Sequence, residues 1–153
     1  MSTEPEKIIS TNRRVYHDYL ISENLEAGLC LKGTEIKSLR TQGCRLNESF
    51  VLLENGEAWL CQMEIPEYAF GNRENHEPMA KRKLLLHKRQ LTHLKKELEI
   101  KNLSCIPLKI YLKRGLAKVL LGIGRGKKLY DKRQRIKKRA VDREIARETK
   151  KFR

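Results

Sequence analysis

No run of residues in this chain approaches the roughly 18 consecutive apolar side chains that a membrane-spanning helix needs. None of its four cysteines stands in a Cys-x-x-Cys pair. The first absence leaves no candidate for a transmembrane segment. The second, with no paired histidine motif beside it, argues against a zinc site, so Cys30, Cys44, Cys61 and Cys105 are expected to be reduced structural thiols. The amino-terminal residues carry Glu4 and Glu6 where a secretory leader has bases, and no apolar run follows, so a cytoplasmic protein is expected. Catalytic signatures are equally scarce. His17, His76, His87 and His93 form no i, i+4 pair, neither His-Glu-x-x-His nor Gly-x-Ser-x-Gly occurs, and no nucleophile has an evident base. Gly122, Gly124 and Gly126 precede Lys127, but a Walker loop needs four residues between its glycines and a hydroxyl residue after the lysine, where Lys128 stands. The dinucleotide fingerprint fails as well, because its third glycine comes one position early. No enzymatic activity, metal or cofactor is expected.

What the chain has in excess is positive charge, formally +15, and it is unevenly placed. From Gly124 onward 14 Lys or Arg face 4 Asp or Glu, whereas residues 1–123 carry 20 and 15. The larger apolar side chains of that last stretch are Leu129, Tyr130, Ile136, Val141, Ile145 and Phe152, too few to offset roughly 1–2 kcal/mol of backbone ordering entropy per residue without a partner. The expected organisation is a disordered leader over residues 1–10, a folded body over 11–124 and a basic tail over 125–153 that is disordered when free. Gly126 would give a flexible exit from the last strand and let Lys127 and Lys128 approach a phosphate backbone. Such a tail calls for a polyanion, either nucleic acid or an anionic membrane. A membrane-surface helix would have only Ile136, Val141, Ile145 and a distant Phe152 for its apolar face, which is thin.

Patterning within the body predicts β structure. Tyr19 to Leu31 reads as a buried strand, with Gly28 marking a bend or bulge. Gly33 to Arg40 reads as a two-turn helix with Thr34 as N-cap and Gly43 as its stop. Ser49–Leu53 and Glu57–Met63 flank Asn55-Gly56, a strong hairpin signal because both turn residues need positive φ. Residues 64–82 read as loop, and Lys83 to Glu99 as an amphipathic segment with its helix starting near His87 and ending at Asn102. Ser104–Leu112 and Leu116–Gly122 form a second hairpin around Lys113, Arg114 and Gly115. The fold class is therefore mainly β with flanking α: a small antiparallel barrel of five or six strands with two or three short helices. Asn12, Arg13 and Arg14 just ahead of His17, Asp18 and Tyr19 are polar and basic groups placed where a strand begins, and they offer a ring to stack on a base and donors for phosphate or 2′-hydroxyl groups, the mixture that RNA-binding barrels use. A buried tyrosine with a hydrogen-bonded histidine fits the same spacing.

Six blocks in order carry a family resemblance: Asn12-Arg-Arg-x-x-His17-Asp-Tyr19, Glu26-Ala-Gly28, Gly33-Thr-Glu-Ile-Lys-Ser-Leu-Arg40, Gly71-Asn-Arg-x-Asn-His-x-Pro78, Arg82-Lys-Leu-Leu-Leu-His-Lys-Arg89 and Gly126-Lys-Lys-x-Tyr-Asp-Lys-Arg133. Together they resemble the small protein B (SmpB) family of bacterial tmRNA-binding proteins over residues 7–140. The departures are Met79-Ala80 and the stretch after Ala140. The resemblance implies an oligonucleotide-binding-fold barrel and a non-enzymatic, monomeric protein. It would bind the tRNA-like domain of tmRNA and bring it to stalled ribosomes with EF-Tu and GTP through alanyl-tmRNA.

By the same resemblance Asn12, Arg13, His17, Tyr19 and Glu26, with Leu85 and Lys118, would hold the tRNA-like domain. A carboxylate repels phosphate, so Glu26 would accept from base amino groups or 2′-hydroxyls, orient neighbouring basic side chains, or form a salt bridge on the barrel rim. Gly126, Lys127, Lys128, Tyr130, Asp131, Lys132, Arg133, Ile136, Lys137 and Lys138 would enter the decoding centre and the empty message channel, turning helical there. A generic RNA chaperone shares the basic tail and the barrel, and differs in discriminating little between tmRNA and other structured RNAs.

Overall fold

Apolar and polar residues alternate along most of the body, and in the computed structural model, which describes residues 6–71 and 75–127, this alternation becomes a seven-stranded antiparallel sheet. Its strands are β1 (Lys7–Thr11), β2 (Tyr19–Leu29), β3 (Phe50–Glu54), β4 (Glu57–Cys61), β5 (Arg82–Leu85), β6 (Ser104–Lys113) and β7 (Leu116–Gly126). They pair in the order β1-β6-β7-β2-β5-β4-β3, and β3 comes back against β6, which curls the sheet into a barrel. Ala27, Leu29, Leu60, Ile110, Val119, Leu121 and Ile123 fill it from within. Among the described residues three helices flank the strands: α1 (Val15–Asp18), α2 (Gly33–Gln42) and α3 (Lys88–Lys95), the last running on into a π-helical turn over Lys96–Ile100.

Both hairpins turn where their sequences require it. Asn55 and Gly56 have φ of 53° and 74°, and Arg114 and Gly115 have 55° and 75°, the left-handed pair that matches strand twist. Helix α2 stops at Gly43, whose φ is 78° and whose N–H donates to Leu39 O at 3.1 Å. Its start differs from expectation. Lys32, not Thr34, is the N-cap, and its N–H donates to Glu35 Oε1 at 2.9 Å. Thr34 meets His76 instead, its Oγ1 lying 3.0 Å from Nδ1, while His76 Nε2 lies 2.9 Å from the Ile65 carbonyl.

Four boundaries are corrected. Residues 7–10 belong to β1 and not to a leader; the outer edge of β6 needs a partner, and two isoleucines are too short a pattern to announce one. Val15–Asp18 is a helical turn, not the start of a strand. Arg82–Leu85 is a strand that fills the gap between β2 and β4, although its run of leucines lacks alternation. Strand β7 runs to Gly126, so the last two glycines are paired with β2 and are not a flexible exit.

The bulge expected at Gly28 lies instead between Ile21 and Glu23. Gly28 is the residue at which β2 pairs with both Lys118 of β7 and Leu85 of β5, and a Cβ there would meet the Leu85 Cβ at 3.2 Å. Gly124 faces the β2 bulge so closely that any Cβ would overlap the Leu20 carbonyl.

One buried ion pair joins α2 to the barrel. Arg82 Nε donates to Glu35 Oε2 at 2.5 Å, and its other nitrogens donate to the carbonyls of Met63 (2.5 Å) and Glu77 (3.1 Å). Both side chains are almost wholly buried. Every charged edge has a partner, so the desolvation cost is compensated only while the set is complete. The four thiols are free, and burial pushes Cys44 up to about 11 and Cys105 up to about 12.

Two outcomes are expected. Glu35→Ala strands the Arg82 guanidinium and should cost about 3–5 kcal/mol in urea unfolding. The unfolded chain releases the Cys44 and Cys105 protons near pH 9 and the folded chain near 11 and 12, so stability should fall as pH rises above about 9. Cys105→Ala should flatten that decline in thermal melts.

Candidate nucleic-acid interface

The register of the sheet sets one row of residues side by side on its outer surface. Ile8 pairs with Tyr111, Tyr111 with Lys118, Lys118 with Gly28, and Gly28 with Leu85, so the row crosses β1, β6, β7, β2 and β5. Glu26, two residues before Gly28, shares that face because side chains alternate along a strand. Beside the row lies a groove of about 730 Å³ lined by Glu26, Gly28, Lys83, Leu85, His87 and Lys118 among others. Leu85 is 54% exposed. The absence of a Cβ at Gly28 is what lets Leu85 sit so close to β2. An apolar side chain, a lysine and a carboxylate therefore converge on one concave surface, a combination suited to a ribose or base with its phosphate nearby.

The Glu26 carboxylate is not loose on this surface. Tyr111, 1% exposed, donates its hydroxyl to Glu26 Oε2. The Lys109 ammonium lies 5.1 Å from the Tyr111 ring centroid and 3.6 Å from Glu6. Burial, then the hydrogen bond and charge of Glu26, push the Tyr111 phenol far above its ordinary range, so it remains a donor at physiological pH.

A second group occupies the other end of β2, about 20 Å from Glu26 at the usual rise per residue. There α1 packs Val15 against Ile106 and Leu108, with Tyr19, Ile21 and Leu120 beside them. Gly122 has no side chain, and a Cβ there would collide with Leu108. Arg13, Arg14, Tyr16 and His17 are exposed on this knob, and His17 Nδ1 lies 3.2 Å from its neighbour Asp18. Tyr19 is half-buried. Lys127, at the end of β7, donates to the Tyr16 carbonyl at 2.7 Å. The knob is thus basic and aromatic, and β7 delivers the chain to it.

Among the described residues Glu23, His93 and Glu97 also bring potential metal-ligand atoms within 4.8 Å of one another. His93 Nε2 already lies 2.8 Å from both Glu23 oxygens, and Lys101 Nζ is 3.0 Å from Glu97 Oε1. The cluster is accounted for by these contacts, His93 hydrogen-bonding α3 to Glu23 of β2 and Lys101 pairing with Glu97 within the π-turn segment.

A family model described as SmpB protein matches residues 9–151. The chain belongs to the SmpB family. It is 53% identical over 147 residues to the SsrA-binding protein of Desulfitobacterium hafniense (strain DSM 10664 / DCB-2), covering 96% of this chain and 94% of that protein. It is 52% identical over 141 residues to the SsrA-binding protein of Geobacter sulfurreducens (strain ATCC 51573 / DSM 12127 / PCA), covering 92% of each. A solved structure, "tmRNA-SmpB: a journey to the center of the bacterial ribosome", contains a chain 50% identical to this one with a TM-score of 0.65, covering 77% of this chain and 83% of that one.

In this SmpB-family fold the expected RNA-binding residues fall into two groups. Glu26, Leu85 and Lys118 share the groove; Arg13, His17 and Tyr19 belong to the knob. Asn12 is corrected as a surface contact. It is 2% exposed, its N–H donates to Leu108 O at 2.7 Å, and its Nδ2 donates to Leu46 O (3.1 Å) and Pro107 O (3.3 Å). The Pro107 and Leu108 carbonyls lie at the β6 bulge between Pro107 and Lys109, where strand pairing is interrupted, and the Leu46 carbonyl, which also accepts from Ser49, ties the segment after α2 to it. Tyr111, Tyr16 and His87 were missed by sequence reading; a tyrosine inside a buried strand looks like any other core residue. Lys128, Tyr130, Asp131, Lys132, Arg133, Ile136, Lys137 and Lys138 lie outside the described residues.

Asn12→Ala should therefore act on stability first, lowering it by about 1–3 kcal/mol in denaturant titrations. Hydrogen exchange should rise around α1 and the Pro107 bulge and remain unchanged at the Glu26 groove.

Proposed function

We propose that this protein binds the tRNA-like domain of tmRNA through the outer face of its barrel and delivers it to stalled ribosomes for trans-translation. It performs no chemistry of its own. The observation that carries this reading is the convergence of Glu26, Leu85 and Lys118 in one groove on a face that also bears the basic knob of Arg13 and His17. Family membership and the SsrA-binding names of its relatives support it. Lys118 and the knob supply sequence-independent attraction to phosphates, and Glu26 reads a hydrogen-bond donor on base or ribose.

The basic tail has the second role. Residues from Lys128 onward enter the decoding centre and the empty message channel, where Tyr130, Asp131, Lys132 and Arg133 meet ribosomal RNA and Ile136 supplies an apolar anchor. Lys137 and Lys138 continue the basic stripe. Gly126 and Lys127, rooted on the barrel, set the direction in which the tail leaves. EF-Tu and GTP join through the alanyl-tmRNA, the protein acts as a monomer in the cytoplasm, and no helix among the described residues is long and apolar enough to cross a membrane.

Two measurements test the division of labour. Lys118→Ala should weaken binding of the tRNA-like domain and flatten the dependence of log affinity on log salt by about one; an unchanged slope removes Lys118 from the phosphate contacts. A chain ending at Tyr130 should keep most of its tmRNA affinity and lose tagging of a stalled nascent peptide. Surviving tagging, or joint loss of both activities, overturns the assignment of the tail.

A further inference from the structure

We infer that Tyr111 is a positioning residue for RNA recognition, holding the Glu26 carboxylate so that one oxygen is a fixed acceptor facing the groove. This rests on the reading of the groove as the RNA site. Glu26 is an exposed glutamate, and such a side chain loses considerable rotamer freedom when a ligand pins it. Here part of that ordering is done before the ligand arrives. Tyr111 is buried in β6, two strands from Glu26, and its ring is fixed between Ile8 and Lys118 in register and under the Lys109 ammonium. Its hydroxyl therefore has little choice of direction. It takes Oε2, leaving Oε1 without a hydrogen-bond partner among the described residues.

Charge sharpens the consequence. A free carboxylate among lysines would swing toward the nearest ammonium and neutralise the cation that a phosphate needs. Tied to Tyr111, Glu26 stays separate from Lys118, so the groove presents an acceptor and a cation as two distinct features. A phosphate offers no donor to Glu26 and is repelled by it. The partner that fits Oε1 is an amino or imino N–H of a base, or a 2′-hydroxyl. Tyr111 touches no RNA in this scheme; its effect passes entirely through Glu26.

The test is a double-mutant cycle with the full chain and a transcribed tRNA-like domain of tmRNA, measuring affinity across salt together with thermal melts. Tyr111→Phe keeps the ring and deletes the hydroxyl, and should weaken binding about tenfold, or 1.4 kcal/mol, with the salt slope unchanged because no phosphate contact is lost. In a Glu26→Ala background the same change should have no further effect. If Glu26→Ala weakens binding but Tyr111→Phe binds like the parent, or if Tyr111→Phe weakens both backgrounds equally, the positioning role is wrong. If Glu26→Ala itself binds like the parent, Glu26 is not part of the RNA site and the groove reading falls with it. A loss of cooperative melting in Tyr111→Phe would mark the hydroxyl as structural and also overturn the proposal.

Discussion

The buried pair of Glu35 and Arg82 is the constraint from which much of the barrel follows. Two ionised groups out of water are tolerable only when each has its full complement of partners, and here those partners come from four places: the N-cap of α2, β5, the segment after β4 and the loop before β5. Closing that set seats α2, pins the loop carrying Glu77 and fixes the first residue of β5. Strand alternation does the rest. Once Arg82 is held inside, Leu84 also points to the core and Leu85 to the outer surface, where it forms the apolar wall of the groove. A core interaction thus decides where a surface residue stands.

The outer face shows how a strongly basic protein avoids being merely sticky. Uniform positive charge would hold any nucleic acid in any orientation. The groove instead combines Lys118 with Glu26, and Lys83 with Glu57 at 3.1 Å, so attraction and repulsion alternate over short distances. Such a surface accepts a polyanion only in the poses that put donors opposite the carboxylate. On the proposed reading, the knob at α1, where Arg13, Arg14 and Lys127 gather, provides general affinity for phosphates. In that reading the two ends of one strand divide affinity from selectivity.

Sequence reading reached the hairpins at Asn55-Gly56 and Arg114-Gly115 because each turn needs residue types that announce themselves. It reached the helix stop at Gly43 for the same reason. It missed β5 because Lys83, Leu84, Leu85 and Leu86 lack a period-two pattern; that strand is made by the vacancy between β2 and β4, a tertiary fact. Asn12 was legible as special and misread in kind. Its value lies in donors for the carbonyls of a bulge almost a hundred residues away, which no local pattern encodes. Tyr111 was invisible because its hydroxyl matters only once Glu26 is brought alongside by the register of two intervening strand pairings. Of the candidate groove, family resemblance named Glu26, Leu85 and Lys118, and not the Tyr111 hydroxyl beneath Glu26.

That register depends on Gly124. With no room for a methyl group against the Leu20 carbonyl, any other residue there must displace the β2 bulge that sets the alignment of the ladder. A slip of one exchanges the two faces of β2, turning Glu26 inward and Leu25 and Ala27 outward. Chemistry at the groove is thus hostage to a hydrogen atom at the far end of the same ladder.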